Sequence, residues 1–449
     1  MSGTVRTSSD RRRGRQRALR WEGLREYANG ALWVMPSVAA VLALVAGWSL
    51  SQIRVQPGSF LSRIAFQGTA DDARSLLIEV TGTVITVIAL TLGLTVVALQ
   101  LSSTQFSPRL LRNFLRDRGT QVVLSVFIAT FVYSAAGSFT VGLESGTRTE
   151  VYPRLAVSGS ILLLFASLGM VVYYADHLAH SIQIDAITRQ VERNTRRALD
   201  RLSPDQTAES PPRAPDWALV LSSRRTGYVQ TIHPELLLPS VAGSDVTICL
   251  RVRVGQHVIA GSVLGWAWSP SATAPPLSRP VFERAVNTNV RIGFERTGEQ
   301  DVAFGLRQLT DIACKALSPA VNDPYTAVQA IEHLSTIGAD LAARPLGTLI
   351  MTDTEASGRV IVPGNTFADF VFFVCSMIGR YGGAEVTVLL ALVRFLRTCA
   401  SALPNDSDRR VTLAEAAQMV LDDGERKITR PSDLEPLRSA VGSLQGRLQ

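Results

Sequence analysis

His177 and His180 stand three residues apart, with Asp176 beside them and Asp185 a little further on. On a helix that spacing puts both imidazoles on one face, and imidazole and carboxylate are metal-ligand types. A metal site needs three or four converging ligands, so no metal is expected and polar helix surface is the simpler reading. His233, His257 and His333 are isolated in sequence. Cys249, Cys314, Cys375 and Cys399 form no CxxC pair, which argues against a zinc ribbon or a redox dithiol. They read as small apolar core residues, or as free thiols in a reducing compartment. The chain holds no Walker-type phosphate loop, no GxGxxG after a strand, no HExxH and no GxSxG. With no triad to name, neither a catalytic residue nor a cofactor is expected, and no enzymatic activity.

One stretch keeps chemistry-bearing residues together: ALSPAVNDPYTA, Ala316 to Ala327, with Asp311, Lys315 and His333 near it in sequence. Its residues Ser318, Pro319, Asn322, Asp323, Pro324 and Tyr325 parse first as a helix boundary. Pro319 pushes the residue before it out of the helical region, so the preceding helix must stop near Leu317. Asp323 takes the N-cap of the next helix and Pro324 its first position, where a missing N–H costs nothing. That account leaves Asn322 and Tyr325 over, and a role beyond turning the chain would rest on those two.

The elements that must carry these residues are set by hydropathy. A spanning helix needs about 20 apolar residues. Four segments qualify: Ala31–Leu50, Leu76–Ala98, Val122–Leu143 and Leu155–Tyr174, none with an internal Arg or Lys. Some thirty residues, many charged, precede the first, so it does not read as a cleaved signal peptide. The net charge of +7 could suggest nucleic acid, but eight arginines fall within the first thirty residues. Basic clusters also fill the loop after span two and the segment after span four. All three lie on one side of a four-span protein, the cytoplasmic side by the positive-inside rule, with both termini there. That explains the charge without nucleic acid.

Span two differs from the rest. Glu79, Gly82, Thr83, Thr86, Ala89, Gly93 and Gln100 fall within about a third of the helix circumference. Such a stripe fits close helix packing. It also fits a water-lined path in a homo-oligomer, with Glu79 as its charged mouth near one end of the span. Ser134 and Ser138 give span three a small-xxx-small pair. In the loop after span two, Arg109, Arg112 and Arg116 oppose Phe106, Leu110 and Phe114 at helical spacing. This is an amphipathic helix for the inner lipid surface, or a linker helix docked on the soluble part.

The domain plan that follows is a basic cytoplasmic tail (1–30), a four-span domain (31–174), a juxtamembrane helix continuing span four (175–202) and a linker (203–226). A small β domain (227–270) and a mostly helical cytoplasmic domain (280–449) complete it. GYVQTI and VTICLRV read as strands, and GRVIVPG as another at Gly358–Gly364. The glycine and apolar spacing of RVGQHVIAGSVLGWAW is similar to barrel-sandwich domains of the biotinyl and lipoyl type, without their carrier lysine. Thr297 and Gln300 form an expected capping box for a helix with the face Val302, Leu306, Leu309, Ile312 and Ala316. Further helices are expected at about Phe367–Tyr381, Ala384–Leu403, Thr412–Leu421 and Asp433–Leu444. FVFFVCSMIG is too short to span and reads as a buried helix. The fold class is therefore mainly α: a four-helix transmembrane bundle, then an α+β region.

The combination of four spans, QFSPR after the second, GYVQ opening the strands, and EQDVAFGLRQLTDIACKALSPAVNDPYTAVQAIEHL resembles a bacterial family of predicted membrane proteins, domain-of-unknown-function family 2254. The resemblance runs from Trp33 to about Ala440. It implies an integral protein of the bacterial inner membrane, and carries no activity or cofactor with it. Two functions fit the sequence: a homo-oligomeric channel- or transporter-like protein with a cytoplasmic assembly and gating domain, or a membrane-anchored scaffold or signalling protein that docks a cytoplasmic partner. A membrane-bound enzyme acting at the Asn322–Asp323 corner is the least favoured. The lipid bilayer and a second copy of the chain are the expected partners.

Overall fold

The computed structural model describes residues 31–53, 65–105, 117–140, 154–181, 183–202, 206–207, 210–273, 276–353, 358–404 and 406–449. The basic tail and the loop carrying Arg109, Arg112 and Arg116 lie outside them. The chain divides into two compact units, residues 1–183 and 184–449.

Among the described residues of the first unit, four helices are long and apolar enough to cross a membrane: α1 (Val34–Ser51), α2 (Ala70–Gln105), α3 (Arg118–Thr140) and α4 (Arg154–Ser181). α2 runs for 36 residues, about 54 Å at 1.5 Å per residue, and so outreaches a ~30 Å hydrocarbon core. Its start is fixed by Thr69 and Asp72, each side chain accepting the other's backbone N–H at 3.2 and 2.9 Å. α3 is the central helix and packs on the other three. Hydroxyl pairs join it to α4, Thr130 to Ser167 at 2.9 Å and Ser134 to Ser160 at 2.6 Å. Tyr174 of α4 meets Thr95 of α2 in the same way. Lipid tails are as apolar as leucine, so such polar and close-packed contacts, rather than hydrophobic burial, hold spans together.

The second unit opens with α5 (Ile184–Leu199). The expected continuation of span four through residue 202 as one helix is therefore corrected: α4 ends at Ser181 and a bend precedes Ile184. Ile187, Val191, Ala198 and Leu199 give α5 an apolar stripe that is buried within the second unit.

The strands β1 (Gln206–Thr207), β2 (Leu219–Ser222), β3 (Gly227–Ile232), β4 (Thr247–Leu250), β5 (His257–Val258), β6 (Val263–Trp268), β7 (Val290–Gly293), β8 (Thr348–Thr352) and β9 (Arg359–Val362) form two sheets. One has the order β1-β8-β9-β4-β6-β2 and the other β5-β3-β7. Every pair is antiparallel except β4 and β9. Strands from 227–270 thus enter both sheets, and the larger sheet recruits β8 and β9 from far downstream. Leu221, Val229, Ile248, Leu250, Leu264 and Val360 share one core, closed by Val286 of α6 (Arg279–Asn289).

The remaining long helices are α7 (Val302–Ala316), α8 (Pro324–Ala342), α9 (Phe367–Gly382), α10 (Val386–Ala402), α11 (Ser407–Lys427) and α12 (Pro431–Leu448). The expected face of α7 is buried, and α9 is the buried helix carrying FVFFVCSMIG. The capping box expected at Thr297 and Gln300 is not formed. Asp301 is the N-cap, accepting the Phe304 N–H at 2.9 Å, because the helix begins only at Val302. Gln300 instead accepts the Ile232 N–H at 2.9 Å and ties β3 to the helix start. α11 extends beyond its expected ends on both sides.

Candidate functional site

The side of α2 packed inside the bundle carries Ala73, Leu77, Val80, Val84, Thr91 and Ala98. At 100° per residue these centre on the side of the helix opposite the stripe. Glu79, Gly82, Thr83, Thr86, Ala89, Gly93 and Gln100 are all exposed in the single chain. A Cβ added at Gly82 or Gly93 would meet nothing within 4 Å. Thr86 satisfies its hydroxyl on the Gly82 carbonyl, at 3.1 Å. Exposed aliphatics flank the stripe, Ile78, Ile85, Leu92 and Val96 on one side and Leu94 on the other, and Leu90 and Val97 lie within its arc. The outward residues of α1 and α4 are by contrast aliphatic and aromatic, among them Val41, Leu42, Leu162 and Phe165. A surface of that kind suits lipid. The α2 stripe does not, since its glycines offer little apolar area and Glu79 carries a charge.

The histidine pair does not converge. His177 lies 2.6 Å from Asp117, the residue that also accepts the Thr120 N–H at the start of α3. The ring of Tyr173 stacks on it. His180 turns back to the Asp176 carbonyl at 2.8 Å, and Asp185 accepts from Gln329. Among the described residues no group of three ligating side chains could hold a metal ion.

At the ALSPAVNDPYTA corner α7 ends at Ala316, with Leu317 as its C-cap, and Asp323 is the N-cap of α8. Its carboxylate accepts the Thr326 N–H at 3.2 Å and the Thr326 hydroxyl at 2.6 Å, and these bonds hold it below the usual carboxylate range. Pro324 occupies the first helical position. Asn322 has φ of 48°, a left-handed conformation that Asn tolerates better than most residues. Its N–H reaches the Ser318 carbonyl at 2.8 Å. Asn322 thereby gains the backbone reason that its sequence left open. Tyr325 gains none, and is 79% exposed.

A cavity of about 410 Å³ lies elsewhere in the second unit. Its lining combines the apolar Leu349, Met351, Val362 and Phe370 with Arg201 and Arg253. Nearby, Asp301 is nearly buried and takes a two-pronged ion pair from Arg296, at 2.6 and 3.0 Å. Gly255, at φ of 86°, leaves room for this pair, since a Cβ there would lie 2.1 Å from the Asp301 carboxylate. Nothing in the local sequence joins these residues, which come from six separate stretches of the chain, three of them loops. Cys249, Cys375 and Cys399 are buried and Cys314 is half-buried. Burial pushes Cys249 up to about 11 and Cys314 up to about 12, and raises Cys375 and Cys399 further.

Two proteins of similar sequence are the uncharacterized protein Mb1321c of Mycobacterium bovis and the uncharacterized protein Rv1290c of Mycobacterium tuberculosis. Each is 41% identical over 419 residues, covering 92% of this chain and 80% of the relative. No solved structure matches. The profile described as predicted membrane protein (DUF2254) matches residues 29–398, and those residues hold the four apolar helices, both sheets and the Asn322 corner. The chain belongs to this family of predicted membrane proteins.

Proposed function

We propose that the protein is a homo-oligomer of the bacterial inner membrane, channel- or transporter-like, in which the α2 stripes of neighbouring copies meet around a shared axis. The observation that carries this reading is the placement of Glu79, Gly82, Thr86, Gly93 and Gln100 opposite the side of α2 that packs in its own bundle. Small residues let backbones approach, and polar groups facing a common axis avoid hydrocarbon. The second unit serves in the cytoplasm as assembly and gating domain, with the barrel-sandwich-like strands as a structural module. No catalytic step is needed.

The test is the copy number of the full-length protein in lipid nanodiscs, with solute flux in liposomes. A closed ring is expected, with flux above that of empty liposomes. Gly82→Leu with Gly93→Leu should weaken assembly and flux together. A monomer in lipid overturns the reading, and the scaffold function then takes its place, with the 410 Å³ cavity as its ligand site.

A further inference from the structure

Polar pairs at a nearly constant offset join α5 to α8. Asp185 accepts from Gln329, Glu192 pairs with His333, Arg196 with Asp340 at 2.7 Å, and, just past both helices, Asp200 with Arg344 at 2.6 Å. The two helices therefore run parallel, and the start of α5 lies level with the start of α8. The Asn322 corner is at that same end. α7 arrives there from the opposite direction, because Gly305 near its start touches Thr195 near the end of α5. α9 runs alongside α7, with Cys314 on the Met377 carbonyl and Gly382 against Leu317. Lys427, at the end of α11, donates to the Arg380 carbonyl.

One end of the second unit thus gathers the start of α5, the corner, and the ends of α9 and α11. On it Val321, Tyr325 and Tyr381 are 45%, 79% and 54% exposed. Arg380 and Lys427 are exposed beside them. Tyrosine with an apolar body and a polar tip, next to cations, is the residue set of a membrane–water boundary. The chain itself supplies the position. Ile184 follows Ser181 by three positions, so covalent geometry keeps the start of α5 within about 10 Å of the end of the spanning helix α4.

We propose that this end is a membrane-surface contact, with Tyr325 and Tyr381 seated at the headgroup–acyl boundary and Arg380 and Lys427 among the headgroups. The inference needs α4 to span the membrane and is independent of the oligomer. It is tested by spin labels on full-length protein in liposomes, at Tyr325→Cys, at Tyr381→Cys and, as reference, at Phe294→Cys. Phe294 is 91% exposed and precedes the far end of α7. The accessibility ratio of oxygen to a water-soluble nickel chelate should be several-fold higher at the two tyrosine positions than at 294. Equal ratios at all three positions overturn the proposal. So do labels at 325 and 381 that are shielded from both reagents, which would mean that protein covers them.

Discussion

Asp323 and Asn322 divide the work of one turn. A left-handed backbone costs most side chains about 1–2 kcal/mol, and Asn322 lowers that cost at φ of 48°. Asp323 then satisfies an N–H that the first turn of α8 cannot pair for itself. Asp323→Ala should destabilise the second unit by about 1 kcal/mol, read as a drop in Tm. An unchanged melting temperature would reject the capping role. The acid side follows from the depressed carboxyl, whose largest cause is the bond from the Thr326 side chain. A folded-state value below the unfolded one makes the contribution complete above the ordinary carboxylate range. It is lost as pH falls through the depressed value. The gap between wild type and Asp323→Ala should therefore narrow below the ordinary carboxylate range and remain constant at neutral pH.

At the scale of elements, the α5–α7 crossing depends on Gly305. A Cβ there would lie 1.8 Å from the Thr195 hydroxyl and 2.8 Å from its Cβ, so the helices could not remain this close. Gly305→Ala adds about 1 kcal/mol of helix propensity, but the overpacking costs about 1–3 kcal/mol. A net loss of thermal stability is expected, and a rise in Tm would show that the crossing is looser than described. Elements with local causes were legible in sequence. The spans follow from hydropathy, and the corner follows from Pro319, Asp323 and Pro324, whose chemistry acts within a few residues. The parallel pairing of Ile248 with Val360 was not legible, because it joins segments over a hundred residues apart. Nor was the cap at Asp301, which competed with an equally regular Thr297–Gln300 pattern. The stripe on α2 could be read as a pattern, but which side the bundle covers depends on α3 and α4. The gathering of Tyr325 with Tyr381 left no signal in either local sequence.

For the whole molecule, the arginine clusters before α1, between α2 and α3 and after α4 predict that both termini face the cytoplasm. A C-terminal reporter active only in the cytoplasm is the expected outcome, and a periplasmic signal would invert the topology. The buried cysteines have their own consequence for the chain as a whole. A thiol raised to about 11 is thiolate in only about one molecule in a thousand at pH 8, and the thiolate is the attacking form. Maleimides, peroxide and glutathione should therefore pass over Cys249, and over Cys314, Cys375 and Cys399 even more completely. The native thiols are therefore slow towards thiol-directed electrophiles, and a single cysteine placed on the surface would react first.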